Sequence, residues 1–460
     1  MNKFYDSLPI FLQNLACSWA GYRRATSRFT PYFYQVLDDW EKSLHDPVEK
    51  LREVQWRQLQ RLVNRTREQV PYYRELAPAS TASEPERAIE ETLRQIAPLE
   101  KSVYRERWRE FIARDIPQRK MLRVSTSGTT GTPLPVWHTL ERIAEGYAAV
   151  WRQRRDCGVQ LDDPHMTFAG QMVVPLRQEK PPFWRLNSYG KQTLFSVYHL
   201  SQKNMAAYVD AIHATPARYV QGYPSALHLV ARSLLDMGRP LPVGSLAAVF
   251  ASSETLLGFQ RDAIEKAFGA PLFDHYAATE LAVSMTACNQ HRLHVDMEFC
   301  IVEVEAIEET EEFVRGPLLA TGLGNDASPF LRYRIGDVGI RSKRPCPCGR
   351  PGDVFLEIDG RVEDYLMTPD ERLIGRMDHV FKSQFDVAEA QILQETKEAI
   401  TVLLVPRPSY SEASQRSLIS ELRARLGDVI RIDVRLVDGI PREPNGKLRA
   451  VKSAVGRIVP

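Results

Sequence analysis

The sequence lacks a surplus of either charge: its 460 residues include 60 lysines and arginines against 58 aspartates and glutamates, for a formal net charge of +2. This balance argues against a nucleic-acid partner, because binding to phosphate backbones requires a basic surface. Cysteine is scarce as well, and six residues in a chain of this length exclude a disulfide framework and favour a reducing, cytoplasmic setting. The length predicts two or three domains.

The sequence also lacks an apolar run long enough to cross a bilayer. Its N-terminal stretch is interrupted by Gln13 and Asn14, yet apolar side chains recur there at roughly helical spacing, at Phe4, Leu8, Phe11, Leu12, Leu15 and Trp19. This pattern predicts a helix that packs on the main body of the protein. A peripheral membrane contact through the same face, aided by Arg23 and Arg24, is the alternative.

The pattern of apolar and charged residues changes twice along the chain. Residues 35–75 and 84–112 are charged and leucine-spaced, which predicts helices, whereas short β-prone runs alternate with helical patterns from about residue 120 to 345. Residues 399–406 then predict a buried strand ahead of a leucine-spaced helix. We expect an α/β protein with a helical N-terminal extension (1–95), a large multi-layer domain (96–359) and a small α+β domain (360–460).

A phosphate-binding pattern is present, although it is not a Walker loop, since no Gly-Lys-Ser/Thr run follows it. Residues 125–133 read STSGTTGTP, directly after a β-prone run. Hydroxyl groups donate hydrogen bonds to phosphate oxygens, and glycines let backbone N–H groups turn inward around an anion. The candidate residues are Ser127, Gly128, Thr129, Thr130 and Gly131. A plain surface turn is the alternative.

Further motifs follow in order: SSETL at 252–256, YAATE at 276–280, RYRIGD at 332–337, GRVED at 360–364 and PREPNGKLR at 441–449. Together with the STSGTTGTP loop they resemble the acyl-adenylating (ANL-type) enzymes, over roughly residues 95–455. The runs Tyr198-His199-Leu200-Ser201 and Gly222-Tyr223-Pro224-Ser225 further resemble the phenylacetate–CoA ligase and CapK-like branch of that superfamily. Two positions depart from the family pattern, Thr132 in place of a lysine and Ala277 in place of a glycine.

The resemblance implies an ATP site and a fold in which the small domain acts as a mobile lid. The residues expected beside the adenine are Ser253, Glu254, Tyr276 and Ala277. Asp337 would accept hydrogen bonds from the ribose hydroxyls, which a carboxylate does well because the bonds are charge-assisted. Arg361 would lie near the ribose, and Glu363 would be the hinge of the lid.

The resemblance also assigns the catalytic groups. Thr279 would meet the α-phosphate and Glu280 would help to hold Mg²⁺, a hard cation that prefers oxygen ligands. Lys447, on the lid, would reach the reacting carboxylate and the α-phosphate. The implied reaction joins a carboxylic acid to ATP to give an acyl-adenylate and pyrophosphate, and positioning with charge stabilisation would dominate catalysis.

The acceptor of the acyl group stays open. A thiol such as CoA is expected from the resemblance, but no glycine occurs between Tyr365 and Gly375, where CoA ligases carry a glycine-rich loop. Transfer to an amine, a sugar amino group or a carrier-protein thiol is the alternative. A non-catalytic scaffold in capsular polysaccharide assembly is a third hypothesis, although the joint presence of Glu280, Asp337, Arg361 and Lys447 argues against it.

The acyl pocket and a metal site are the last expectations. Phe168, Tyr198 and Tyr223 are candidate pocket linings for an aryl or planar acid, and each could equally be a core residue. Three thiolates and one imidazole would form a closed tetrahedral zinc site, for which spacing favours Cys288, His291, Cys346 and Cys348, with His294 as the second candidate for the imidazole. Two unrelated groups of reduced cysteines are the alternative.

Overall fold

The structure is a computed structural model that describes residues 3–125, 134–361, 366–369, 373–374, 377, 380, 386–442 and 448–455. The helices are α1 (Lys3–Ser7), α2 (Ile10–Arg28), α3 (Pro31–Lys42), α4 (Val48–Gln69), α5 (Pro85–Arg94), α6 (Lys101–Arg107), α7 (Leu140–Asp156), α8 (Met205–Ala214), α9 (Pro224–Asp236), α10 (Gly258–Phe268) and α11 (Glu412–Leu426). Within these ranges, no helix combines the length and apolar character that a membrane span requires.

The strands alternate with the helices through the middle of the chain, as the sequence predicts. They are β1 (Met121–Ser125), β2 (Pro135–Thr139), β3 (His165–Ala169), β4 (Trp184–Asn187), β5 (Gln192–Ser196), β6 (Tyr219–Gly222), β7 (Ala248–Ser252), β8 (Leu272–Ala277), β9 (Ser284–Ala287), β10 (Leu293–Val295), β11 (Cys300–Val304), β12 (Glu308–Glu309), β13 (Phe313–Gly322), β14 (Tyr333–Ser342), β15 (Val354–Arg361), β16 (Leu366–Met367), β17 (Leu373–Ile374), β18 (Val387–Thr396), β19 (Ala399–Pro406), β20 (Arg431–Leu436) and β21 (Val451–Ser453).

One large sheet dominates the described residues, in the order β11-β13-β14-β15-β10-β9-β8-β7-β6-β3-β5-β4, with β12 paired to β13. Strands β5, β3, β6, β7 and β8 run parallel, and α8, α9 and α10 connect them. From β8 onward, through β9, β10, β15, β14 and β13 to β11, each strand pairs antiparallel with the next one in the sheet. Alternate side chains of β6 and β7 enter two different apolar cores, one on each face of the sheet, so the predicted α/β class is confirmed.

The small C-terminal unit has its own sheet, in the order β20-β19-β18-β21. Helix α11 begins at the Ser411 cap, whose hydroxyl accepts a hydrogen bond from the Ser414 N–H. Its leucines at four-residue spacing, Leu418, Leu422 and Leu426, are buried against the sheet. The strand predicted at 399–406 coincides with β19.

Helix α2 covers the edge strand β4 of the large sheet. The Asn14 side-chain oxygen accepts a hydrogen bond from the Leu186 N–H (2.9 Å), and the Ser18 hydroxyl accepts one from the Ser188 N–H (2.9 Å). These contacts occupy donors that an edge strand otherwise presents to a second chain. The other face of α2 exposes Trp19 among other apolar side chains.

A buried charge network joins α7 to the antiparallel half of the sheet. The Arg152 guanidinium is 2.7 Å from Asp296 and 2.8 Å from Glu298, and all three side chains are buried. Arg350 contacts the same Asp296 oxygen at 3.1 Å. Because an unpaired charge inside a protein carries a large desolvation penalty, this network requires each member to stay in place.

We expect Arg152→Met to lower the free energy of unfolding by about 3 kcal/mol, since it leaves two buried carboxylates short of a cation. Urea unfolding followed by fluorescence measures the change. The matched control is Arg94→Met, which removes an exposed ion pair with Glu90 and should change stability by less than about 0.5 kcal/mol. Equal losses in both variants would contradict the importance of the buried network.

Candidate active site

The carboxyl ends of the parallel strands meet at one side of the large sheet, as the strand pairing requires. The residues just beyond β3, β6, β7 and β8 are Gly170, Tyr223, Ser253 and Ala278. We call this side the carboxyl edge. In open α/β sheets, ligands bind outside the carboxyl ends of the strands. The predicted adenine and α-phosphate residues therefore fall where this topology provides a binding site.

Two of the predicted nucleotide residues touch each other at this edge. The Tyr276 hydroxyl, at the end of β8, donates a hydrogen bond of 2.5 Å to Asp337 Oδ2 on β14. Strands β9, β10 and β15 lie between β8 and β14 in the sheet, so the sheet must curve strongly for this contact to form. Asp337 also pairs through its backbone with Arg361, which ends β15.

Glu280 follows β8 and is buried, with 6% of its surface exposed. Its Oε1 atom accepts a hydrogen bond of 2.9 Å from the Tyr333 hydroxyl. Burial, together with the charge of Glu280, raises the pKa of Tyr333 well above 10, so this hydroxyl keeps its proton and remains a donor. The contact fixes the carboxylate at the carboxyl edge.

The site loop, residues 278–282, is held in place by two side chains, one on β2 and one on α7. His138 Nε2 lies 3.0 Å from the Thr279 carbonyl oxygen, and Arg142 Nη2 donates to the Leu281 carbonyl at 2.6 Å. Burial lowers the pKa of His138 to about 4, so the ring is neutral. We infer that its Nε2–H donates to Thr279 while Nδ1 accepts from the Asn325 amide, 3.2 Å away.

These supporting residues were not predicted from the sequence. The available signal was a histidine directly after the apolar run 134–137, which follows the predicted phosphate loop. Leu281 adopts a φ of 52°, a left-handed conformation that is unfavourable for a leucine and that its neighbours must therefore hold in place. The combined contacts define the geometry of the loop that carries Thr279 and Glu280.

Glu254 connects the large domain to the small one. Ser253 has a φ of 74°, and this turn precedes the Glu254 carboxylate, which accepts hydrogen bonds from two backbone N–H groups. Oε2 accepts from Ser225 and Oε1 accepts from Leu448, each at 2.9 Å. Leu448 directly follows the predicted catalytic residue Lys447. The described residue next to Lys447 thus lies at the carboxyl edge.

Further polar contacts hold the small domain on helix α9. The Arg407 guanidinium is 2.6 Å from Asp236, at the end of α9. Arg442 donates to the Ser225 hydroxyl at 3.4 Å. Residues 442 and 448 lie on either side of the predicted lysine turn. Both therefore contact residues of the large domain that follow the strands β6 and β7, at Ser225 and Glu254.

The candidate pocket residues divide into two kinds. Phe168 has no exposed surface and stacks on Phe195 with ring centroids 4.6 Å apart, so it packs in the core. Tyr198 and Tyr223 are only partly buried, and the Tyr198 hydroxyl donates to the Gly170 carbonyl at 2.9 Å. Burial raises the pKa of Tyr223, which also interacts with Gly170 and Glu254. The two tyrosines thus lie at the carboxyl edge.

Part of the predicted site lies outside the described residues: Ser127, Gly128, Thr129, Thr130, Gly131, Glu363 and Lys447. The predicted phosphate loop falls between β1 and β2, which pair antiparallel with Ser125 opposite Pro135. The backbone of Arg361 is described as the end of β15, and its side chain is not. Among the described residues, the structure brings together Tyr276 with Asp337, and Glu280 with Tyr333.

The predicted cysteine cluster forms with a different histidine from the one that spacing favours. The side-chain ligand atoms of Cys288, His294, Cys346 and Cys348 all lie within 4.8 Å of one another. His291 is engaged elsewhere, since its Nδ1 lies 2.8 Å from the Arg261 guanidinium. Its φ of 57° belongs to the turn between β9 and β10, whereas His294 lies on β10 itself.

Comparison with known proteins agrees with these motifs. Residues 366–454 match the family model of the CapK C-terminal domain. The whole chain is similar to Protein CapK of Staphylococcus aureus, with 26% identity over 98% of both chains. It is also similar to the phenylacetate-coenzyme A ligase of Thermus thermophilus, with 23% identity over 88% of this chain and 97% of that protein.

A solved structure of 2-hydroxyisobutyryl-CoA ligase in the postadenylation state has the same fold, with a TM-score of 0.69, 18% identity and coverage of 90% of this chain and 91% of that chain. The same ligase in the thioesterification state gives a TM-score of 0.55.

The fold is therefore that of the adenylate-forming ligases, a large α/β domain with a small C-terminal domain. Within that class, the matches confirm the predicted resemblance to the acyl-adenylating enzymes and to their CapK-like branch.

The buried, neutral His138 predicts a pH dependence of stability. Its pKa falls from 6.5 to about 4 on folding, so the unfolded chain binds more protons between these values, and the free energy of unfolding drops as the pH falls through this window. His138→Gln should remove its share of the dependence, making the slope shallower by up to about 1.4 kcal/mol per pH unit.

Urea unfolding at a series of pH values between about 4.5 and 7 measures this slope. The control is His45→Gln, which changes an exposed histidine and should leave the slope as it is in the unmodified protein. An unchanged slope in His138→Gln would show that the ring is not held neutral below Thr279.

Proposed function

We propose that this protein activates a carboxylic acid with ATP, forming an acyl-adenylate and pyrophosphate, and then transfers the acyl group to a thiol such as CoA. The observation that carries the proposal is the position of Leu448 on Glu254, because it brings the chain on one side of Lys447 to the edge that holds Tyr276, Glu280 and Asp337. The names of the relatives support the same chemistry, since they include a phenylacetate-coenzyme A ligase and a ligase in complex with an acyl-AMP.

In the first step, a carboxylate oxygen of the acid attacks the α-phosphorus of ATP. The new bond joins that oxygen to phosphorus, the bond from phosphorus to the bridging oxygen of the β-phosphate breaks, and pyrophosphate leaves with that electron pair. Little covalent work falls on the protein, so positioning and charge stabilisation dominate. In this proposal, Thr279 contacts the α-phosphate and Lys447 offsets the charge that develops there.

Asp337 and Glu280 have separate tasks in the proposal. The hydrogen bond from Tyr276 sets the orientation of the Asp337 carboxylate, which would accept hydrogen bonds from the ribose. Glu280 is a buried carboxylate held by Tyr333, and Mg²⁺ in nucleotide sites is bound through one or two carboxylates together with substrate phosphates. The residues present thus fit Mg²⁺, which would neutralise phosphate charge.

The acid and the acceptor are the finer parts of the proposal. Tyr198 and Tyr223 at the carboxyl edge favour an aryl or planar acid, because aromatic rings pack well on flat apolar ligands. CoA is the first acceptor to test, in view of the CoA ligases among the relatives. Amines, sugar amino groups and carrier-protein thiols are the comparison set, and a non-catalytic scaffold for polysaccharide assembly is the opposing hypothesis.

The first test is pyrophosphate release from ATP and Mg²⁺ over a panel of aromatic, aliphatic and amino acids. We expect release with at least one aryl acid, and a fall of at least about 100-fold in Lys447→Ala, since this is the usual cost of losing one charge-stabilising group. Lys397→Ala, in the turn between β18 and β19, is the matched control and should retain activity. Equal rates in both variants would remove Lys447 from the mechanism.

Nucleotide binding separates the ligase from a scaffold even without the right acid. ATP with Mg²⁺ at a hundredfold excess over its dissociation constant should stabilise the folded protein by about 2.7 kcal/mol, which a thermal-shift measurement detects. We expect the shift to shrink in Asp337→Asn, which loses the charged acceptor for the ribose. If no nucleotide raises the melting temperature of the protein, the scaffold hypothesis is favoured over the ligase.

The docking of the small domain gives a prediction about the two half-reactions. Asp236→Asn weakens the contact with Arg407, so pyrophosphate release should fall by up to about fivefold, the range of a partly exposed ion pair. Acyl transfer from preformed acyl-adenylate should not fall. The control is Asp210→Asn, which removes the pair with Arg239 inside the large domain. A parallel fall in both half-reactions would contradict a contact that belongs to one domain arrangement.

A further inference from the structure

A cluster of three thiols and one imidazole lies where the loop between β14 and β15 meets the β9–β10 hairpin. Cys288 follows β9, His294 lies on β10, and Cys346 and Cys348 belong to the loop. We propose that these four residues bind one Zn²⁺ ion in a closed, structural site. The site is separate from the ATP chemistry proposed above.

Two distances within the cluster match those of a tetrahedral zinc site. The Sγ atoms of Cys288 and Cys346 are 3.7 Å apart, and Cys348 Sγ is 3.4 Å from His294 Nε2. With Zn–S near 2.3 Å and Zn–N near 2.0 Å, tetrahedral geometry requires about 3.8 Å between two sulfurs and about 3.5 Å between sulfur and nitrogen. These two pairs therefore have the spacing of zinc ligands, and all four ligand atoms lie within 4.8 Å of one another.

The backbone around the cysteines has the form of a metal-binding knuckle, here residues 346–350. The Gly349 N–H donates to the Cys346 carbonyl at 3.1 Å, and Gly349 has a φ of 81°, which favours glycine at this position. The Arg350 N–H points at Cys348 Sγ (3.4 Å), as the Gln290 N–H points at Cys288 Sγ (3.4 Å). Such N–H groups stabilise the charge of a thiolate.

The ligand set selects the metal. Thiolates with one imidazole in a tetrahedral arrangement are typical of zinc, whereas magnesium and calcium prefer oxygen ligands. Four protein ligands leave no open position for water or substrate, which identifies a structural role. Binding would release the protons of the three thiols to solvent.

The cysteine cluster lies at one end of β15, and the proposed nucleotide site lies at the other end. His294 pairs with Val354 at the start of β15, and β15 ends at Arg361 opposite Asp337. At the usual rise of a strand, these two ends are about 20 Å apart. The knuckle also delivers Arg350, whose guanidinium contacts Thr286 and the buried Asp296 at 3.0 and 3.1 Å. A metal here would hold the loop, and with it Arg350, in the buried charge network.

Metal analysis of the full-length protein, purified from zinc-supplemented cells without a metal-chelating tag, tests the proposal. We expect one zinc per chain and an X-ray absorption spectrum of three sulfur ligands and one nitrogen ligand. This measurement needs no variant, so it does not depend on whether a variant folds. A folded protein that holds no zinc, or one with a Cys288–Cys346 disulfide, overturns the proposal.

Variants identify the ligands. Cys346→Ser and His294→Gln should lose zinc and lower the Tm, whereas the matched controls Cys157→Ser and His291→Gln should retain both. Loss of zinc in His291→Gln with retention in His294→Gln would overturn the assignment of the imidazole. None of these outcomes involves ATP, so a failure here is distinguishable from a failure of the proposed activity.

Discussion

The proposed site depends on one buried carboxylate, Glu280, being kept in a single orientation. Its partner Tyr333 keeps its proton because burial raises the hydroxyl pKa. Two carbonyl oxygens of the loop that carries Glu280 accept hydrogen bonds, one from the neutral His138 and one from Arg142. The position of the carboxylate is thus set by three side chains from two separate parts of the chain.

The second requirement is that the small domain reach the same edge. Glu254 provides the contact by accepting N–H groups from both domains, Ser225 in one and Leu448 in the other. Two further contacts between the domains are a partly exposed ion pair and a long hydrogen bond from Arg442, which are individually weak. Weak contacts are consistent with the change of domain arrangement that our proposal requires between the two half-reactions.

The two ends of the strands in the antiparallel half of the large sheet carry different groups of residues. At one end, β8 and β14 bring Tyr276 to Asp337. At the other, the cysteine cluster joins the β9–β10 hairpin to the loop before β15, and Arg350 runs from this loop into the network of Asp296 and Arg152. The antiparallel half of the sheet is therefore held by a charge network, and in our proposal also by a metal ion, at the end of the sheet opposite the proposed nucleotide site.

The sequence alone determined the α/β class, the strand at 399–406 and the order of the motifs, because periodicity and short motifs are local properties. The sequence also predicted the three cysteines of the cluster, but spacing favoured His291 as the fourth ligand. That choice was wrong because spacing along the chain does not show that the turn directs His291 toward Arg261. His138 beneath Thr279 and Glu254 on Leu448 lie 141 and 194 residues from their partners. Only the strand order of the sheet and the docking of the small domain decide contacts over such separations.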